Sequence, residues 1–381
     1  MFVYDGLQTF NPTSSTNKIY RMNNIEYTQQ IEKFDSQKMV NIIKNFTNDV
    51  KNAIELGQKA KQLPLQLFSK EIIVLGMGGS AIAGDTVRTI TSAIDGFPFV
   101  IKVVRSYNFP KNVDPNALVV VSSYSGNTEE TISAMYEAEE YCTNFLCLTT
   151  GGIVGNHAKA KGYPCIDLPT GFQPRAAFAY SFFPLLLLLT EKTNNEALQK
   201  SIETALEEIV RILPELTERY QTPNAITNDA YSIASTLYNR LPFFFVNSDL
   251  FDTIQLRWRG QLQENAKMFA FGNVLPEMNH NEICSLVTEN TYTKEIAIVL
   301  IRDVVDHARV KLRFDAFSSI LDKSLQSKMI TIYGEGDHLL TRMITLIHLG
   351  DWISFHCAML RNEDPSPIPL INALKNLLSN A

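Results

Sequence analysis

The stretch IIVLGMGGSAIAGD, residues 72–85, decides the fold: an aliphatic run breaks into a cluster of glycines and then resumes with the apolar spacing of a helix. A strand-to-helix turn of this composition brings backbone amides close to a phosphate at the positive end of a helix. Taken alone, Gly76-x-Gly78-x-x-Ala81 is a weak form of the dinucleotide fingerprint. That fingerprint also needs an acidic residue about twenty positions further on, at the end of the next strand, to hold a ribose hydroxyl. Here the next strand, FVIKVVRSY, runs into Arg105 instead. Three readings stay open at this point: a phosphorylated dinucleotide, some other phosphate, or a bare tight turn.

Working outward, the apolar positions of residues 34–63 recur at helical spacing up to Pro64, so one amphipathic helix is expected to lead into the first strand. After EIIVLGM come a helix from Ser80, the strand FVIKVV, the strand ALVVVSS, a helix from about Thr128 and the strand NFLCLTT. A long helical pattern covers 194–220, and QTPNAITND, residues 221–229, has the composition of a boundary. Beyond it the same logic repeats, with strands PFFFVNS, KEIAIVLIRD and MITIYGE between helical segments. Short apolar runs alternating with helices indicate parallel sheets covered on both faces. The expected fold is therefore α/β, with two halves, each a mostly parallel sheet between helices in a three-layer sandwich. The expected division is an extension over 1–40, a first unit over 41–220 and a second over 221–381.

Bulk properties narrow the partners. The 381 residues are 45% hydrophobic and 19% charged, with 34 basic against 40 acidic side chains and a net charge of -6. Nothing there forms the basic footprint of a nucleic-acid or anionic-membrane binder, so a phosphorylated ligand must be drawn by amides and a few placed cations. The first twenty residues lack the apolar core of a secretory signal, and a cytoplasmic protein is expected. The most apolar run, residues 176–190, is too short to span a bilayer and contains Pro184, which reads as a buried helix. Five cysteines without CxxC spacing read as free thiols.

A second motif, SSYSGNTEET at 122–131, follows the strand ALVVV and opens a helix. Ser123, Ser125 and Thr128 offer hydroxyl donors, and Gly126 lets the backbone curl around an anion at the helix N-terminus. Asn127 and Glu130 alone read as a capping box. Two such turns at the C-terminal ends of parallel strands converge on one crevice of a doubly wound sheet.

Together, GMGGSAIAGD and SSYSGNTEET resemble the sugar isomerase (SIS) domain, which identifies the two α/β halves as SIS-type subdomains. FQPRAAFAYSFFPLL, LRWRGQLQENAK, PEMNHNEI and HLLTRMITLIHLGDWISF, in that order, resemble the bifunctional phosphoglucose/phosphomannose isomerases of bacteria and archaea. The likeness runs from about Met39 to the C-terminus. It implies interconversion of glucose 6-phosphate or mannose 6-phosphate with fructose 6-phosphate through an enediolate, which needs a base, a stabilising cation or amide, and a group to open the ring. By the resemblance Glu264 is the base, Arg175 stabilises the enediolate, and Lys375 contacts sugar hydroxyls or polarises a substrate oxygen. His280 opens the ring, with Glu282 as its orienting partner, and is supplied by a neighbouring subunit, so a homodimer with composite sites is implied. Ser123, Ser125 and Thr128 would take the phosphate; Gly78, Gly79 and Ser80 would face the sugar, the glycines leaving it room. Neither cofactor nor metal is expected. The chain departs from the family at RAAFAYS, at Ser366 in DPSPIP and in its first forty residues. A non-catalytic phosphosugar-binding SIS protein and an oxidoreductase using a phosphorylated nicotinamide are the alternatives; the second leaves the serine loop without a use.

Overall fold

In a computed structural model, residues 24–222, 228–286 and 291–378 are described. Three helices come first: α1 (Asn24–Phe34), α2 (Met39–Lys44) and α3 (Phe46–Ala60). The first half then alternates β1 (Glu71–Leu75), α4 (Gly78–Ala93), β2 (Val100–Val104), β3 (Leu118–Ser122), α5 (Glu129–Ala138), β4 (Asn144–Thr149), α6 (Gly152–Lys161) and β5 (Cys165–Asp167). Two helices, α7 (Phe178–Lys192) and α8 (Glu196–Tyr220), lead to the second half. There follow α9 (Asp229–Leu237), β6 (Leu241–Asn247), α10 (Asp252–Asn265), β7 (Phe271–Leu275), β8 (Ile296–Arg302), α11 (Ala308–Ile320), α12 (Lys323–Gln326), β9 (Met329–Tyr333), α13 (Leu339–Arg361) and α14 (Pro369–Leu378).

Both sheets are parallel, in the orders β2-β1-β3-β4-β5 and β7-β6-β8-β9. In the first, β3 is central, and every residue from Leu118 to Ser122 is buried, as a strand covered on both faces requires. Alternate residues of β1 go to opposite cores. Ile72 and Val74 pack with α4 and α7, whereas Ile73 and Leu75 pack with Ala134 and Met135 of α5. The edge strand β2 is blunted by charge, with Lys102 Nζ 2.5 Å from Glu71 Oε1.

The largest core joins both halves and is centred on α7 and α13, apolar on all sides. Every residue from Leu340 to Leu360 of α13 is buried, as befits a helix enclosed all round. The apolar run at 176–190 is the buried helix expected, with Pro184 inside α7. By length and composition α13 would pass as a membrane span, yet all of its apolar window lies inside the protein. Helix α4 crosses to α10 through Arg88 to Asp252 at 2.5 Å and Thr86 to Thr253 at 3.3 Å, which seats the glycine turn against the second half.

Four local expectations change. The helix expected over 34–63 is two helices that meet at Asn45. The elements α6 and β5 were not anticipated. Nor was β7, because the helix pattern through QENAKMFA conceals a stop: α10 ends at Asn265 and Lys267 turns left-handed, φ 53°. Finally, much of the expected extension, residues 1–23, lies outside the described residues, while α1 docks through buried Tyr27, hydrogen-bonded to His356 Nδ1 of α13. The expected boundary at 221–229 falls partly on 223–227, which also lie outside them.

Candidate active site

The chain leaves β1 toward one face of the first sheet and β3 toward the other, so the loops after these neighbouring strands enclose the crevice where α/β sheets bind ligands. Its floor is the glycine turn. At Gly78, φ is 50° and a Cβ would meet nothing within 4 Å, which is open space at the mouth of α4. Gly79 differs: a Cβ there would come 2.8 Å from the carbonyl of Pro174. The expectation that both glycines make room for a sugar is corrected at this position, since Gly79 lets the loop bearing Arg175 close on α4. The first amides of α4, at Gly78 and Gly79, have no carbonyl within the helix to bind.

Ser80 is buried, and its Oγ accepts from the backbone N–H of Tyr124 at 3.3 Å, tying the glycine turn to the serine loop. In that loop Ser123 is buried and its Oγ donates to Thr128 Oγ1 at 3.0 Å. Ser125 is exposed, and its Oγ accepts from the Asn127 amide at 3.2 Å. Thr128 is the N-cap residue of α5, yet no side chain caps that helix. The Asn127–Glu130 capping box is therefore not formed. Asn127 Oδ1 instead accepts from the amide of Ile153 at the start of α6, because Gly126 sits against Gly151 and brings the two loops together. The free N-terminus of α5 and the hydroxyls beside it make an anion cradle without a lysine.

The loop that closes on Gly79 carries a buried guanidinium. Arg175 Nε donates to Asn265 Oδ1 at 2.7 Å, Nη1 to Glu264 Oε2 at 3.3 Å, and Nη2 to the carbonyls of Pro365 and Ser366 at 2.7 and 3.1 Å. Four of the five N–H groups of an arginine are thus committed, leaving one on Nη1. The Glu264 carboxylate is partly open to solvent. Burial draws the Arg175 pKa down, opposed by the charges of Glu264 and Asp351.

Behind Arg175 stands a second layer. Arg257 donates to the Arg175 carbonyl at 3.3 Å and, through Nη2, to both oxygens of Asp351 at 2.9 Å. Gln261 Nε2 donates to Asp351 Oδ1 at 2.6 Å, and Asn265 Nδ2 to Ser354 Oγ at 2.9 Å. Burial raises the pKa of Asp351, and its bonds from Arg257 and Gln261 oppose that. Positions 257, 261, 264 and 265 share one face of α10, so a single helix carries the carboxylate and much of its support.

Gly78, Gly79 and Ser80 are thus tied to the loop of Ser123, Ser125 and Thr128 through the Ser80–Tyr124 bond, and to Arg175 with Glu264 through the approach of Pro174 to Gly79. Two expected residues stand apart. His280, in a 3-10 turn after β7, is exposed and makes no side-chain hydrogen bond among the described residues. Glu282, its expected orienting partner, accepts instead from Asn273 Nδ2 at 2.7 Å. Lys375 lies on α14, none of whose residues is buried. Nothing in the residue pattern marks Asp351, Arg257 or Gln261, while Asn265 and Lys267 read as the polar face of a surface helix. What could have marked Arg257, Gln261 and Asn265 is their four-residue spacing on the helix of Glu264.

Arg105, the residue that kept the dinucleotide reading open, is hydrogen-bonded to Asp85 of α4. Among the described residues no cluster of three or more His, Cys, Asp or Glu side chains gathers as a metal site would.

The bacterial phospho-glucose isomerase C-terminal SIS domain family matches residues 226–378. A bifunctional phosphoglucose/phosphomannose isomerase of Caldicellulosiruptor bescii is 36% identical over 346 residues, 90% of this chain and 99% of that protein. A D-glucosamine-6-phosphate 4-epimerase of Sulfolobus acidocaldarius is 32% identical over 254 residues, 66% of this chain and 76% of that protein. Among solved structures, the C-terminal domain of glucosamine-fructose-6-phosphate aminotransferase from Francisella tularensis shares the fold. Its TM-score is 0.66 at 16% identity, over 86% of this chain and 97% of that one.

Proposed function

The chain belongs to the bifunctional phosphoglucose/phosphomannose isomerase family, and from that premise we propose which of its residues perform each step. Its reaction is the reversible aldose-ketose isomerisation of hexose 6-phosphates. The phosphate rests on the N-terminus of α5 and on Ser123, Ser125 and Thr128, while the amides of Gly78 and Gly79 and the Ser80 hydroxyl meet the sugar. Glu264 removes the proton from C2 of the opened aldose and returns it to C1. The negative charge that develops on the enediolate oxygen is met by the one uncommitted N–H of Arg175. A guanidinium suits the place because it cannot lose its own proton to the intermediate.

The observation that carries this reading is the Arg175–Glu264 pair, a buried cation bonded to a partly open carboxylate, on the loop that closes against the glycine turn at Gly79. His280 opens the sugar ring from a second copy of the chain, so the working form is a homodimer with shared sites; its exposure, and its having no side-chain hydrogen bond among the described residues, support this. Lys375, on a helix that buries nothing, reaches a sugar hydroxyl in the assembled dimer. Unpaired cysteines fit a reducing cytoplasm.

A coupled assay with glucose 6-phosphate and mannose 6-phosphate tests the substrate, with glucosamine 6-phosphate included because of the epimerase relative. Turnover of at least one of the two hexoses is expected. Exclusive action at C4 of the amino sugar would replace the isomerase reading with an epimerase, and saturable binding without C2 proton exchange would leave only a binding protein. Replacing Ser123 with Ala should raise KM about tenfold with little change in kcat, since a hydrogen bond to a charged group contributes roughly 1.5–3 kcal/mol.

A further inference from the structure

We infer that Lys267 is a positioning residue for this reaction: its ammonium ties the backbone of Glu264 to the Asp364–Ser366 strap and so fixes where the Glu264 carboxylate points. The inference rests on Glu264 being the base.

Lys267 follows α10 in the left-handed region, φ 53°. Helices stop on such a residue often, but it is usually glycine or asparagine, because a Cβ is crowded there. A lysine kept in that conformation points to a use for its side chain. Its Nζ donates to the carbonyls of Glu264 at 2.8 Å, Asp364 at 2.6 Å and Asn265 at 3.4 Å. An ammonium has three donors, and all three are used. Two of the acceptors belong to the last turn of α10, whose carbonyls have no partner within the helix.

The third acceptor lies in the strap, and Arg175 takes the next two carbonyls, at Pro365 and Ser366. Three successive strap carbonyls are therefore fixed by two cations, one on each side of Glu264. Ser366 N–H donates to Asp364 Oδ1 at 2.9 Å, which folds the strap into a turn that presents those carbonyls together. A general base must be held to within about 0.5 Å of its working position. Of the two cations, only Lys267 grips the main chain of Glu264 itself.

Lys267→Gly tests this, because glycine suits the left-handed backbone and removes the side chain, ammonium included, without straining the turn. On glucose 6-phosphate its kcat should fall by about tenfold to a hundredfold, with KM changed less than about threefold, the signature of a misplaced catalytic group. The primary isotope effect from deuterium at C2 should grow, as proton removal becomes slower relative to the other steps. Lys267→Arg, which keeps a cation within reach of the same carbonyls, should stay within about fivefold of wild type. Lys267→Asn also tolerates the left-handed turn and should behave as the glycine variant does. A purely structural role would lower the melting temperature of the glycine variant and leave its isotope effect unchanged.

Wild-type turnover retained in Lys267→Gly, or an equal loss in the glycine and arginine variants, overturns the positioning role alone. Absence of hexose 6-phosphate turnover by the wild type overturns the isomerase reading, and this role with it.

Discussion

At the scale of single residues, the site depends on one arginine doing several jobs. Arg175 holds Glu264, Asn265 and two strap carbonyls, and among the described residues one of its N–H groups has no partner, the one the proposed function gives to the substrate. Lysine has the charge but not the fork, so Arg175→Lys should lower kcat by about a hundredfold and also destabilise the fold by about 2–4 kcal/mol, since buried carbonyls lose their donors. Steady-state kinetics and urea denaturation of one preparation check both. Full stability with lost activity would mean that the arginine serves the substrate alone. The glycine and serine loops were legible as strand-to-helix turns from their residue types, whereas Arg175 and Glu264 were reached only through the family resemblance, since a glutamate on an amphipathic helix reads by itself as a solvated surface residue. The supports were not legible. Asp351 sits in an apolar helix pattern, and only tertiary packing turns it toward Arg257 and Gln261. Lys267 ends a helix where sequence signals call for glycine or asparagine, and the same residue hid β7.

At the scale of elements, α13 explains how a helix can be central and still carry polar groups. His348 and His356 are both fully buried on it. His356 Nε2 lies 2.8 Å from the Tyr220 carbonyl, which assigns its proton to that nitrogen and leaves Nδ1 to accept from Tyr27. Burial lowers the pKa of His348 to about 3 and of His356 to about 4, against an ordinary value of 6.5. Both are neutral in the fold, and the unfolded chain binds protons first as pH falls. Stability is therefore complete above about pH 6.5 and is lost below it, by roughly 1.4 kcal/mol per pH unit for each histidine. Between pH 8 and pH 5.5 the loss should be roughly 3 kcal/mol, and His356→Gln should remove about half of it. Asp35, Asp49 and Asp351, whose pKa values burial raises, work in the opposite sense nearer the carboxylate range. Urea midpoints across that interval give the slope; a flat profile would show that the two histidines are not held neutral. Most of the parallel strands were readable as apolar runs; β7 was hidden by the helix pattern before it, and β5, three residues long, is set by pairing with β4 and has no periodicity of its own.

At the scale of the whole molecule, α14 and the turn holding His280 are the parts that the proposed dimer would use. Helix α14 exposes Leu370, Leu374 and Leu377 at 85%, 57% and 71%, an apolar stripe that a lone chain would not leave in water. A shared site can be tested by mixing. Inactive Glu264→Gln and His280→Ala enzymes, allowed to exchange subunits, should regain up to about a quarter of wild-type activity, because half of the dimers would be hybrids carrying one intact site. No recovery on proven exchange would place both groups in one chain. That Glu264 takes the proton from C2 is tested most directly by incubating fructose 6-phosphate with enzyme in deuterated water and following label into the sugar by NMR. Wild type should exchange the label readily, and Glu264→Gln more slowly by on the order of a hundredfold to ten-thousandfold, with the phosphate still bound. Exchange at the wild-type rate in that variant would contradict the assignment.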